Sequence, residues 1–202
     1  MDFSGAKEYI TQLLVKELPK ELLYHGAHHT FEVVKATRRL ALNEKISKKD
    51  FNLLTMAAYF HDSGYLYQYK DNEPLAVELV QKVLPQFDFS KQEIDTISEI
   101  ILATQSHIEP KNILEEIMCD ADHDYIGTTN YDNVAKTLRK ELELHGTKYD
   151  DLEWLKMQHY YLTQRHKYYT QTAKKTRNPQ KKKIILNIED RIINYTPEED
   201  KE

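Results

Sequence analysis

Four short segments of this 202-residue chain concentrate side chains that bind metal ions or move protons. They are Tyr24-His25-Gly26-Ala27-His28-His29-Thr30, Ala57-Ala58-Tyr59-Phe60-His61-Asp62-Ser63-Gly64-Tyr65, Ala103-Thr104-Gln105-Ser106-His107 and Cys119-Asp120-Ala121-Asp122-His123-Asp124-Tyr125-Ile126-Gly127. The adjacent pair His61-Asp62 sets an imidazole beside a carboxylate. Together they could converge on one divalent cation, since imidazole suits the later transition metals and carboxylate suits Mg and Mn. Taken alone, the pair reads more readily as a core histidine followed by an aspartate in a helix-terminal turn. Its company is what singles it out: His25 and His29 precede it, and Asp120 and Asp122 follow it about sixty residues later.

The elements that must position these groups read as helices. Val33, Thr37, Leu40 and Ala41 follow three-and-four spacing, as do Leu54, Ala57, Ala58 and His61, then Ala76, Leu79, Val80 and Val83, then Ile94, Ile97, Ile101 and Thr104. His61 continues an apolar stripe and is therefore expected to point inward. Ser47 with Asp50, Ser90 with Glu93 and Asp150 with Glu153 each place a capping oxygen three residues before a carboxylate. Pro19, Pro74, Pro85 and Pro110 mark breaks or first turns. The pattern predicts helices near 4–18, 29–43, 48–61, 73–84, 91–105, 110–121, 131–145, 151–169 and 178–194, with no strand alternation and no internal repeat. The expected fold is all-α, a single compact bundle of about eight or nine helices over 1–195, with 196–202 a charged, disordered tail.

Composition agrees with a globular, water-soluble chain: 40% hydrophobic, 30% charged, few Gly and Pro. The net charge of −5 does not point to nucleic acid as a partner. The single Cys119 excludes an internal disulfide and a cysteine-rich zinc site. Met1 to Glu8 is mixed and polar, unlike a secretory leader, and the longest apolar runs are too short for a bilayer, so a cytoplasmic location is expected.

The ordered set H…HD…D resembles the HD superfamily of metal-dependent phosphohydrolases. Tyr24-His25-x3-His29-Thr30 is similar to its YHNxxHT element, and Ala57 to Asp62 to its helix ending in FHD. Ile101 to Gln105 resembles an ILATK segment of one subfamily, and Cys119 to Asp122 with Ile126-Gly127 its DADxxxxG element. Leu138-Arg139-x-Glu141 and Trp154-Leu155 also have counterparts there, so the resemblance runs from about Leu18 to about Ile188. It implies a helical bundle around one or two divalent ions (Mn, Mg, Fe, Ni, Co or Zn), with His29, His61, Asp62 and Asp122 as ligands of the first. Asp62 would bridge to a second ion, Asp122 is preferred to Asp120 because the family ligand sits in an Ala-Asp pair, and Asp120 would steady a ligand or a metal water. His25 would protonate the leaving oxygen, a task suited to a pKa near neutrality. Gly26 stands where the family often has Asn, and Gln105 where relatives often have Lys; the first weakens the case for His25, the second that for phosphate recognition at 105.

Other residues stay open between a site role and a plain one. His28 and His123 lie one step, roughly 100° of helix, from the expected ligands. His107 reads as a contact to a second metal or substrate, or as a helix-end histidine. Of the tyrosines grouped around the HD pair, Tyr59, Tyr65, Tyr67 and Tyr69, most read as ordinary core or surface residues, and Tyr65 and Tyr69 are the candidates to stack a nucleobase. Arg139 and Arg165 could reach a phosphate or make structural ion pairs. The run Lys174, Lys175, Arg177, Lys181, Lys182 and Lys183 reads as a solvated helix face. The expected activity is metal-dependent cleavage of a phosphate ester or phosphodiester of a nucleotide or cyclic nucleotide. The alternative is a metal-retaining nucleotide sensor without turnover. The expected partner is a small phosphorylated molecule rather than a membrane, and self-association into a homo-oligomer is left open.

Overall fold

The computed structural model describes residues 1–196, and the expected tail falls outside them except for Thr196. Nine α-helices and no strand occur among the described residues: α1 (Phe3–Glu17), α2 (Ala27–Asn43), α3 (Lys48–Phe60), α4 (Asn72–Val83), α5 (Lys91–Leu102), α6 (Ile113–Asp122), α7 (Tyr131–Leu144), α8 (Asp151–Tyr160) and α9 (Gln171–Ile193). Short 3₁₀ turns at 63–66, 84–87 and 124–127 link them.

Local chemistry sets most helix starts. The Ser47 hydroxyl accepts from the Asp50 N–H at the head of α3, and Ser90 and Asp150 form full capping boxes with Glu93 and Glu153 at the heads of α5 and α8. The expected apolar stripes are buried, with Leu40, Leu54, Val80 and Ile97 fully enclosed. α2 packs against α3 and α6, α3 against α5, and α4 against α5 and the 63–66 turn. These helices and α1 share one hydrophobic cluster. A second, smaller cluster joins Tyr131 and Ala135 of α7, Trp154 and Leu155 of α8, and Ile184 and Ile188 of α9.

Four boundaries differ from the pattern. α5 stops at Leu102, and the Thr104 hydroxyl turns back to the Ile101 carbonyl. α6 starts at Ile113 behind its Asn112 cap, three residues past Pro110. The expected 151–169 helix ends at Tyr160, passes through a π turn over Tyr161–Arg165 and leaves the helix at His166. α9 starts at Gln171 rather than 178 and runs through Pro179. A tertiary contact decides the last two: the Asp120 carboxylate accepts from the N–H groups of Tyr169 and Thr170 and from the Thr170 hydroxyl, while Thr170 caps α9. Periodicity hides the start of α9 because two cations stand on its buried face beside Ala173, Ile184 and Ile188. Arg177 forks onto Asp124, and Lys181 donates to the His166 carbonyl at 2.6 Å. Lys174, Lys175, Lys182 and Lys183 of the basic run are exposed.

Candidate metal centre and substrate cleft

Three helix ends meet at one point. The start of α2 brings His29, the end of α3 brings His61 and Asp62, and the end of α6 brings Asp122. Gly26 caps α2 without a side chain; a Cβ there would lie 2.9 Å from the Leu22 carbonyl oxygen, a tight approach that favours glycine over the family's asparagine. Gly64 is more constrained still. A Cβ there would fall 1.8 Å from the Asn72 carbonyl oxygen, so the turn after Asp62 can press onto α4 only as glycine.

His61 is 1% exposed, and its Nδ1–H donates to the Ala58 carbonyl at 2.9 Å. That bond fixes the tautomer and aims Nε2 at the cluster. Asp62 Oδ2 lies 3.2 Å from His61 Nε2 and 3.5 Å from His29 Nε2. Asp122 Oδ1 lies 3.0 Å from His29 Nε2 and 3.6 Å from His61 Nε2. His29, His61 and Asp122 offer ligand atoms within 4.8 Å of one another, close enough to form a metal site. His61 Nε2 and Asp62 Oδ2 are buried with no hydrogen-bond partner among the described residues. Buried polar atoms are seldom left so; two nitrogens and two carboxylates facing one point suit a divalent cation.

Electrostatics agrees. Burial penalises charge on His61, but Asp62 and Asp122 outweigh it and raise its pKa well above the ordinary imidazole value. Burial likewise opposes charge on both carboxylates; the neighbouring His61 overcomes it at Asp62, and the hydrogen bond from His29, with His61 close by, overcomes it at Asp122, so both stay ionised. A cation would compete with the His61 proton for the same lone pair, so acid must weaken metal binding.

Beside the quartet stands a second arrangement. Glu141 of α7 has no exposed surface, yet its carboxylate accepts from the Tyr24 N–H at 2.7 Å, the His25 N–H at 3.0 Å, His25 Nδ1 at 2.5 Å and the Tyr69 hydroxyl at 3.2 Å. His25 is thus oriented by Glu141 and not by residue 26. Burial works against a charged ring, but the Glu141 hydrogen bond prevails and raises the His25 pKa. Tyr65 stacks on the same ring at 4.5 Å. Asp62 and Asp122 of the quartet, together with His25, line a cleft of about 610 Å³, within the range of small-ligand sites.

The HD domain family model matches residues 26–125, which contain all four members of the quartet. This chain is an HD-domain protein. The superfamily is one of metal-dependent hydrolases; His25 lies immediately before the matched span and Glu141 well beyond it. A 1.45 Å crystal structure from an uncultured Thermotogales bacterium, described as a predicted HD superfamily hydrolase, shares the fold. It is 18% identical, with TM-score 0.62 over 96% of this chain and 93% of that one. No curated protein matches the sequence significantly.

The remaining expected site residues of the HD-domain protein fall into two groups. His107 and His123 line the cleft, His107 as an exposed rim group. The His123 ring spans the Cys119 carbonyl at 3.2 Å and the Tyr161 hydroxyl at 2.8 Å, which leaves it a wall residue. Asp120 and Arg139 are elsewhere. Asp120, offered by the sequence as steadying a ligand, spends its carboxylate on the start of α9. Arg139 bonds Asp151 at 2.6 Å and the Tyr149 carbonyl at 2.7 Å and lies over Trp154, so it takes the ion-pair option; Arg165 is the guanidinium that lines the cleft. His28 is exposed, and Gln105 lines the cleft. Cys119 donates to the Ala103 carbonyl, and burial pushes its thiol pKa up, which leaves it inert. No helix among the described residues is long and apolar enough to cross a membrane.

Proposed function

We propose that this HD-domain protein hydrolyses a phosphate ester or phosphodiester of a nucleotide, using water activated at the His29, His61, Asp62 and Asp122 centre. The observation that carries the reading is the pair of buried, unpartnered atoms, His61 Nε2 and Asp62 Oδ2, facing His29 and Asp122 at the base of a ligand-sized cleft. A divalent ion held there (Mn, Mg, Fe, Ni, Co or Zn, one or two per chain) lowers the pKa of a bound water and neutralises charge on a phosphoryl oxygen.

The rest belongs to side chains of this chain. His25 carries the proton for the leaving oxygen. Its Nδ1 is tied to Glu141, so the transferable proton is the one on Nε2, and the raised pKa favours the ring that carries it. Tyr65 on the ring and Glu141 beneath it hold the imidazole to one orientation. Arg165 and Lys167 supply positive charge to a cleft whose metal end is acidic.

The test is a panel of cyclic nucleotides, linear nucleotides, dinucleotides and a generic phosphodiester, each incubated with Mn²⁺, Mg²⁺, Ni²⁺ or a chelator, with products resolved by chromatography. Metal-dependent product from the wild type and none from Asp62→Ala is expected. Metal retained without turnover of any substrate would overturn hydrolysis in favour of a sensor.

A further inference from the structure

The metal centre occupies one end of the cleft, and the other end has different chemistry. There the walls are Ala135, Leu138 and Leu142 of α7 facing Trp154, Met157 and Gln158 of α8. None of the six is charged, although charged residues make up 30% of the chain. A row of rings joins the two ends. Tyr24 lies 4.7 Å from the His29 ring and meets Tyr125 edge-on at 5.6 Å, and Tyr125 lies parallel to Tyr131 at 6.0 Å. Burial pushes the Tyr125 and Tyr131 phenols up, so both stay neutral.

A second phosphate or a carboxylate in this lobe would be desolvated against walls that carry no charge of their own. A neutral aromatic ring would instead meet apolar walls and ring faces and edges. One polar group breaks the apolar wall. Gln158 is 5% exposed; its Oε1 accepts from the Tyr131 hydroxyl at 3.0 Å, and its Nε2 donates to the Trp154 carbonyl at 3.4 Å. A primary amide has two N–H donors and two acceptor sites, so one of each remains, side by side, on a side chain held from both ends.

We propose that the α7–α8 lobe is the specificity subsite: it takes an uncharged, planar, aromatic ring of the substrate's organic part, and Gln158 reads the hydrogen-bonding edge of that ring. This rests on the reading that the metal centre holds the phosphate of the same molecule. It excludes sugar phosphates and aliphatic phosphate esters as preferred substrates and makes the ring, not the phosphate, the source of selectivity.

Trp154 is the chain's only tryptophan and stands in the lobe wall, so its fluorescence reports occupancy independently of turnover. The full-length protein with Mn²⁺ is titrated with a nucleoside monophosphate, the parent nucleoside and glycerol phosphate, and hydrolysis of the two esters is followed in parallel. Saturable change in Trp154 emission with nucleotide and nucleoside, and none with glycerol phosphate, is expected. Gln158→Leu should lower the ratio of kcat/KM for the nucleotide over that for glycerol phosphate by at least about tenfold. Tyr131→Phe, which frees the held amide, should move the same ratio in the same direction by a smaller factor. A general folding defect would lower both substrates together and leave the ratio unmoved. Nucleotide hydrolysis with silent Trp154 and an unchanged ratio would overturn the subsite while leaving the phosphohydrolase reading intact. Saturable nucleoside binding with neither these monoesters nor any phosphodiester of the nucleotide panel cleaved would support the subsite and remove the phosphohydrolase.

Discussion

The cluster built by α1 to α6 and the cluster built by α7, α8 and the second half of α9 hold up different parts of one cleft. The first ends three of its helices on imidazoles and carboxylates that crowd within a few ångströms of one another, an arrangement with little tolerance for displacement. The second contributes one buried carboxylate, Glu141, and an apolar lobe. On the function proposed here, the two clusters divide the work: metal chemistry is fixed by the first, and the proton supply and choice of substrate are set by the second. Glu141 is the seam, since it rises from α7 to hold the backbone and ring of His25 ahead of α2.

The sharpest way to break the comparison is at the first cluster. Asp62→Ala removes a buried carboxylate that contacts both imidazoles, and we expect activity to fall by more than about a thousandfold together with loss of bound metal, measured by steady-state kinetics and elemental analysis. Glu141→Gln tests the seam. It should retain metal, lower kcat by roughly ten- to a hundredfold, and change the pH profile. The direction follows from the sign of the shift. Glu141 raises the His25 pKa, and a proton donor acts only while protonated, so activity is lost as pH rises through that raised value. Without the carboxylate the alkaline limb must move to lower pH; a limb that stays put would remove His25 as the donor.

Two smaller effects separate support from chemistry. Asp120→Ala strands the buried N–H of Thr170 along with that of Tyr169, and should cost about 3 kcal/mol in urea unfolding with metal stoichiometry unchanged. Arg139→Ala loses a partly exposed ion pair with Asp151; it should cost less than about 1 kcal/mol and leave kcat/KM unaltered. A large loss of activity in Arg139→Ala would return Arg139 to the cleft.

What the sequence discloses tracks how local each signal is. Ser47, Ser90 and Asp150 announce their helices because a cap is made within three residues. His61 is legible as inward-facing because it extends an apolar stripe, and it is 1% exposed. The ordered motifs direct attention to His29, Asp62 and Asp122, which the fold does bring together. The part that escapes is long-range. Glu141 meets His25 across 116 positions and carries no local mark beyond its Leu-Arg-x-Glu setting. Asp120 meets Thr170 across 50 positions, so its work at α9 and the break after Tyr160 are invisible to periodicity. The start of α9 is hidden because Arg177 and Lys181 occupy buried-face positions where an apolar stripe would have shown it. The α7–α8 lobe escapes for a related reason: its wall residues look like ordinary core until the second cluster is seen to open onto the metal centre.

The proposed chemistry requires one cation among His29, His61, Asp62 and Asp122. Calorimetric titration of the purified protein with Mn²⁺, at neutral pH and again near pH 5.5, tests it most directly, with Asp122→Ala measured alongside. Stoichiometric binding by the wild type is expected, weakened at least about tenfold in acid as the His61 lone pair is protonated, with at least about a hundredfold weaker binding by the variant. Equal affinity in wild type and Asp122→Ala would contradict it and place the cation elsewhere.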